Sequence, residues 1–523
     1  MRKFGTRLRV VIFIVSLIGT WVMVENILQV QKYVDWNMKG TEKVSERPGY
    51  YDILFSGTSM SITNISAEEL YLKYGMAGIA LGEPEQVTYL SYYTIENALK
   101  YQSPKVVLYD VKALFYTEDR LKEMIEQNED YYVHYTLDDM TNSMTKFEAV
   151  KQVKELHPES NYWRYFSKMY HNHSNWENIS KQNFRTLQSS DFILEGKNSA
   201  GIWENVSDDN HISITDNTNE VSEIPEINKK YLEKMAELCK SKNVSLVLIR
   251  NTGSKNWSWG EYNAAAEVAK ELGLDYLDLA LYEDEIGFDW RTDSFDGTHH
   301  NIIGTKKWTD FLGEYLINKY DFVDKRGNEK YDEYELTKDK YENVVTAMAQ
   351  QIILSKATNF NQYLDTLYNL DKNGNAIFIS VSDDASASLT QTGQEILKAI
   401  GFNTDLVGNI QYSYYGVLDD GKLVSECCNE SGSEWDGNLN DGTLYQISSG
   451  GLLSGKNASI QINNVQHIQG GRGFNIVVYN KKSGRVISSV FFDTNIESNP
   501  ITARRNALGR IEKEEKINYW ISE

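Results

Sequence analysis

Short apolar runs alternate with stretches of helical period from about residue 50 onward. YDILFSG (51–57) is an apolar run closed by Gly57, and KVVLYDV (105–111) is a second; runs of this length bounded by turn residues read as buried strands. Between them, SAEELYLKYG (66–75) repeats its apolar positions at helical spacing, with Ser66 as N-cap and Gly75 at the stop. EQVTYLSYYTIENALKY (85–101) has the same period. The predicted order here is strand, helix, helix, strand. The pattern resumes with helix NKKYLEKMAELCKSKN (228–243), strand VSLVLIRN (244–251), helix WGEYNAAAEVAKELG (259–273), short strand LDYLDL (274–279) and closing helix GTKKWTDFLGEYLINKY (304–320). Alternating strands and helices imply a parallel sheet covered on both faces, with reactive groups gathering at the carboxyl ends of its strands.

Two regions break the alternation. Residues 117–225 are polar, aromatic and helix-prone, as in YYVHYTLDDM (131–140) and SNYWRYFSKMYHNHSNWENISKQNF (160–184). They read as a helical insertion with a solvated face, or as a lid whose aromatics stack on sugar rings. Past residue 320, KRGNEKYDEYELTKDKY (325–341) reads as a charged connector and ENVVTAMAQQIILSKATNFNQYLDTLYNL (342–370) as helix; NAIFISVSD (375–383) opens a strand- and turn-rich region. The resulting division is an anchor at 1–35, an α/β domain at 48–320, a connector and helix at 321–364, and a second domain at 365–523.

The N-terminus supplies the anchor. Arg2, Lys3, Arg7 and Arg9 precede an apolar run from Val10 to Val24, and no small-residue cleavage site follows. This pattern predicts an uncleaved, single-pass signal anchor with the bulk of the chain outside, a cleaved signal peptide being the alternative. Composition narrows the rest. A formal charge of -21 without a basic run beyond the N-terminus argues against nucleic-acid binding. The three cysteines, Cys239 and the adjacent Cys427 and Cys428, have neither disulfide-framework nor zinc spacing. An exported chain without disulfides points to a bacterial source. Sequons such as Asn64 and Asn457 carry no weight in so Asn-rich a chain.

Chemistry is concentrated at two places. Ser59 follows the end of the first strand in Gly57-Thr58-Ser59, where a strand-to-helix turn holds a hydroxyl at the sheet edge; serine after glycine is also a common turn or cap residue. Serine is a weak nucleophile near neutrality and needs a base that is itself oriented by a carboxylate. FDGTHHN (295–301) offers Asp296 and His299 in one turn-forming segment at the last loop of the same sheet, in a chain with eight histidines. A metal site on Asp296, His299 and His300 is the weaker reading, because consecutive histidines cannot easily face one ion. No cofactor is implied.

These positions resemble the SGNH, or GDSL, hydrolase superfamily, with GTSM in place of GDSL and DGTHHNIIGTKKWTDFLGEYL (296–316) similar to the D-x-x-H-x-N-x-x-G block of its extracytoplasmic bacterial branch, near teichoic-acid D-alanylation and polysaccharide O-acetyltransferase proteins. The resemblance implies a flavodoxin-like α/β fold, a nucleophilic Ser59, His299 as base and Asp296 as its orienting group. His300 becomes a neighbour of the site, a candidate for its pocket wall. It also implies an oxyanion hole from the Ser59 N–H and from Gly82 in GIALGEPEQ (78–86). No G-x-N-D block is present; Asp110 and Asn251 each end a strand on the same edge, and each reads either as a substitute donor or as a plain loop residue. GRGFNIVVYNKKSGRVISSVFFDT (471–494) and IFISVSDDASASLTQTGQEILKAIG (377–401) resemble the two halves of an ILEI-type domain in circularly permuted order, which implies a glycan-docking module in a β-rich α+β domain. A small packing domain is the plainer reading. Together these imply an extracytoplasmic serine esterase or O-acyltransferase acting on a cell-envelope polysaccharide, with a membrane acyl-delivery protein as a partner. A non-catalytic envelope glycan-binding protein that keeps the fold is the rival.

Overall fold

A computed structural model of the chain describes residues 2–28, 44–117, 119–120, 122, 131–138, 140–158, 161–167, 169–170, 176–177, 179, 218–251, 257–294, 297–494 and 500–506. It begins with helix α1 (Arg2–Leu28). Within α1, Leu8–Glu25 is long and apolar enough to cross a membrane, with none of that stretch buried.

The chain divides into two compact units, residues 1–339 (except 199–201) and 340–523. In the first, β1 (Ile53–Ser56), α2 (Met60–Thr63), α3 (Ala67–Tyr74), β2 (Gly78–Ala80), α4 (Thr88–Ala98) and β3 (Val106–Asp110) precede the insertion, which contributes α5 (Tyr131–Asp138) and α6 (Met144–Leu156). Then come α7 (Glu226–Ser241), β4 (Ser245–Arg250), α8 (Trp259–Leu272), β5 (Asp275–Asp278) and α9 (Ile302–Lys319). All five strands are parallel, in the flavodoxin-like order β2-β1-β3-β4-β5. β2 is an addition to the predicted order. It is a three-residue edge strand in a Gly- and Ala-rich stretch, where a Cβ on Gly78 would lie 2.7 Å from the Phe55 ring.

The sheet shows why the strands read as continuous apolar runs. Ile53, Phe55, Val106, Leu108, Val247 and Ile249 bury on one face against α3 and α9, which bring Leu70, Trp308 and Leu312. Leu54, Val107, Tyr109, Leu246 and Leu248 bury on the other, against α4, α7 and α8. Period-two alternation with both faces covered leaves no polar face on the central strands. The ends of α3 follow the sequence: Ser66 Oγ accepts from Glu69 N at 3.2 Å, and Gly75 closes the helix at φ +71°.

The stretch read as a charged connector is more ordered than its charge suggests. α10 (Asp332–Ser355) starts inside it, and Tyr331 and Tyr334 are buried in the first unit, Tyr334 stacked on Tyr71 at 4.2 Å. In the second unit, α11 (Phe360–Asn369), β6 (Asn375–Asp383), α12 (Gln391–Ile400) and β7 (Ser413–Asp419) are followed by β8 (Lys422–Asn429), β9 (Ser433–Asn438), β10 (Leu444–Gly451), β11 (Ala458–Ile462) and β12 (Val465–Gln466). The hairpin β13 (Gly473–Asn480) and β14 (Arg485–Phe492) and the short β15 (Arg504–Arg505) complete a curled, mainly antiparallel sheet. β6 is fully buried at its centre. It pairs antiparallel with β13 from Gly473↔Ser382 to Asn480↔Asn375, so the two separated motif halves are direct neighbours. α11 and α12 cover one face of this sheet through Phe360, Leu364 and Leu397.

Candidate active site

The sheet order reverses between β1 and β3, and ligand sites in open parallel sheets lie at such a switch point. Here the chain leaves β1 through Gly57, whose φ of +133° suits only glycine. A Cβ at Gly57 would also lie 2.7 Å from the Asp110 Cβ at the end of β3. Thr58 is buried, and α2 begins immediately after Ser59 with Met60 to Thr63 all buried. Ser59 itself stays half-buried at the carboxyl edge. Its backbone is fixed from the helix side, since its carbonyl accepts from Ile62 N at 3.0 Å and Thr63 N at 2.9 Å.

The opposite wall is the loop before α9. Ser294 and His300 form an isolated antiparallel bridge, and the Ser294 hydroxyl closes the turn, accepting from Gly297 N at 2.6 Å and donating to the His299 carbonyl at 3.1 Å. Gly297 takes φ +81°. Asn301 then caps α9, its Oδ1 accepting from Ile303 N at 3.0 Å and Gly304 N at 3.2 Å while its Nδ2 donates to the Thr292 carbonyl at 2.7 Å. Gly304 packs so closely that a Cβ would lie 2.1 Å from the Asp293 carbonyl oxygen. Asparagine and glycine at these two positions are thus required by local geometry. The result is that Ser59 Oγ lies 2.8 Å from His299 Nε2, across 240 residues of sequence. Both side chains are half-buried and so open to a ligand. Asp296, the predicted orienting carboxylate, lies outside the described residues.

His300 is separated from this pair by its surroundings. It is fully buried, with its ring 4.5 Å from Phe288, 5.5 Å from Trp290 and 4.5 Å from Trp308. It is a packed core residue, and the pocket-wall position expected for it is not what the structure shows. Beneath the same cage, Trp290 Nε1 donates to Glu283 at 2.9 Å, and burial pushes the Glu283 carboxyl up to about 7. The folded state therefore holds this proton to higher pH than the unfolded chain does, so the buried charge destabilises the fold progressively as pH rises from the ordinary glutamate range through 7. Glu283→Gln keeps an acceptor for Trp290 and does not titrate. It is expected to match wild type in a pH 4 melt and to be more stable at pH 8 by about 2–3 kcal/mol; equal melting temperatures at both pH values would contradict the burial argument.

One residue that sequence reasoning passed over holds the two walls together. Asn64, read there only as a sequon, is fully buried at the end of α2. Its Oδ1 accepts from His300 N at 3.1 Å and from Thr63 Oγ1 at 2.8 Å, and its Nδ2 donates to the Asn251 carbonyl at 2.8 Å. It therefore connects the Ser59 turn, the loop that carries His299 and the end of β4. Asn64→Ala would orphan buried backbone groups at about 1–3 kcal/mol each and loosen the Ser59–His299 distance. We expect a lower melting temperature and, if the pair serves as the serine and base of an esterase, a roughly tenfold or greater loss of ester turnover in the fraction that stays folded; full turnover would show that the pair needs no such tie.

The oxyanion candidates divide. Gly82 sits against the Ser59 turn, where a Cβ would fall 1.8 Å from Ser61 Oγ and 2.7 Å from the Gly57 carbonyl oxygen. Among the described residues, no acceptor takes the backbone N–H of Ser59 or of Gly82. Asn251 is different: its Oδ1 accepts from Trp308 Nε1 at 3.0 Å and its Nδ2 reaches the Asp110 carboxylate at 3.5 Å. Its amide ties β3 and β4 to α9 in the interior, where it is fully buried. Burial pushes the Asp110 carboxyl up to about 6, partly offset by the Lys112 N–H at 2.9 Å.

In the insertion, His134 is also internal. Its ring lies 4.6 Å from that of Tyr165 and its Nδ1 is 3.1 Å from Asp138. The described part of the insertion is helical and packs through Val133, Leu137 and Val150. Comparison of the chain with protein-family models and with curated proteins returns no match.

Proposed function

We propose that the protein is a serine esterase or O-acyltransferase of SGNH type, anchored by α1 and acting outside the membrane on an ester of a cell-envelope polysaccharide. The observation that carries this reading is the 2.8 Å approach of Ser59 Oγ to His299 Nε2 at the carboxyl edge of a parallel sheet. In the proposed reaction Ser59 Oγ attacks the acyl carbonyl carbon while His299 Nε2 takes the hydroxyl proton. The role assigned to Asp296 in this reading is that of the carboxylate that orients the imidazole through its Nδ1–H. The N–H groups of Ser59 and Gly82 receive the developing oxyanion. The proton passes from His299 to the departing alcohol oxygen, leaving the acyl group on Ser59. A sugar hydroxyl or water, deprotonated by the same imidazole, then takes the acyl group and restores the serine.

The second unit supports the choice of a polymer. Its β6 and β13 join the two segments that resemble an ILEI-type domain in permuted order, and relatives of that domain bind carbohydrate. In this reading it docks glycan, and a membrane partner delivers the acyl group. Incubating the full chain with an acylated envelope polysaccharide and following both free acid and acyl groups moved to an unacylated acceptor tests the reaction. Release or transfer that requires Ser59 supports it. Binding of the glycan without either product favours the non-catalytic reading, which the inward-turned Asn251 amide makes the specific rival.

A further inference from the structure

We infer that the helical insertion of the first unit carries a membrane-interface surface, so that this unit lies against the lipid headgroups. The inference rests on the reading of α1 as an uncleaved anchor. Leu8–Glu25 is 18 residues long, about 27 Å at helical rise and close to the roughly 30 Å hydrocarbon thickness of a bilayer. With the basic end of α1 inside, Glu25 falls at the outer headgroup level. There it meets the insertion: its Oε1 accepts from Ser167 Oγ at 3.3 Å and Met169 N at 3.2 Å.

Close to that contact several large aromatic and apolar side chains are exposed. Tyr170 N donates to Ser167 Oγ at 3.2 Å, and Asn161 Nδ2 reaches the Tyr170 hydroxyl at 3.0 Å. Two residues beyond Asn161, Trp163 is 62% exposed, and its ring lies 6.4 Å from Phe166, which in turn lies 6.4 Å from Phe147 on α6. Phe147 is 52% exposed and shares a face of α6 with Met144, which is 72% exposed. Large apolar side chains grouped on a surface need an occupant. Tryptophan and tyrosine beside the end of a membrane-length helix fit the headgroup region, where an apolar ring body and a polar edge are both accommodated. The nearby charges on α6 are mixed, Lys151 lying within 4 Å of both Glu148 and Glu155. Attraction to anionic lipid is therefore not the main force, and the contact should persist in high salt.

The test uses the full chain in nanodiscs of phosphatidylethanolamine and phosphatidylglycerol whose acyl chains carry bromine near the headgroups. Tryptophan quenching is compared between wild type, Trp21→Phe and the double variant Trp163→Phe with Trp176→Phe, Trp176 being another exposed ring of the insertion. The proposal expects the double variant to lose a third or more of the bromine-quenched emission, at low and at high salt alike, and Trp21→Phe to lose a separate part. Quenching unchanged in the double variant, with those rings quenched by aqueous iodide instead, would overturn the proposal and turn the patch toward a protein partner. If Trp21→Phe also removes nothing, α1 does not lie in the bilayer, and the proposal falls together with the anchor reading.

Discussion

Ser59→Ala is expected to lower ester turnover by about 10^4–10^6-fold, the range found when a serine nucleophile is removed from a triad in other hydrolases. The change removes one hydroxyl from a half-buried position whose backbone bonds, from Ile62 N and Thr63 N to the Ser59 carbonyl, remain. Its thermal melt should therefore overlay that of wild type. Loss of rate without loss of fold is the signature of a group that acts in the reaction. Parallel steady-state assays on a small ester and melting curves provide the check; a variant that keeps most of its rate would remove Ser59 from the chemistry.

His299→Ala and His300→Ala should fail in opposite ways. His299 touches Ser59 Oγ and is half-buried, so its loss is expected to reduce turnover by several orders of magnitude with little change in stability. His300 lies inside a cage of Phe288, Trp290 and Trp308. Its truncation leaves a cavity in a packed core, at about 2–4 kcal/mol, while the surviving folded molecules keep their rate. The comparison is between turnover per folded molecule and the urea midpoint for each variant. Equal catalytic losses would mean that the loop presents both rings to the site, contrary to their burial.

The sequence makes some of this architecture legible and hides the rest for definite reasons. β1, β3 and β4 are readable because both sheet faces are buried and the strands are accordingly apolar throughout. β2 is not, because Gly78 is selected for passage under the Phe55 ring and supplies no strand signal. The charges at the start of α10 mask it; its only signal is the spacing of Tyr331 and Tyr334, which anchor it in the first core. Ser59 and His299 are legible because each belongs to a local motif, and Gly82 only through the family resemblance. Asn64 and Ser294 did not. Their roles arise from contacts with His300 N, 236 residues away, and with the turn that carries His299, and no local pattern in either segment announces them.

The most direct measurement of the central claim is the site of covalent capture. Wild-type protein treated with a serine-directed fluorophosphonate, then digested and mapped by mass spectrometry, should carry one adduct per chain, on Ser59. Modification should fall to background in His299→Ala, because the hydroxyl then lacks the imidazole that now stands 2.8 Å away. An adduct on a different residue, or none from an enzyme that still turns over esters, would contradict the assignment of Ser59 as nucleophile.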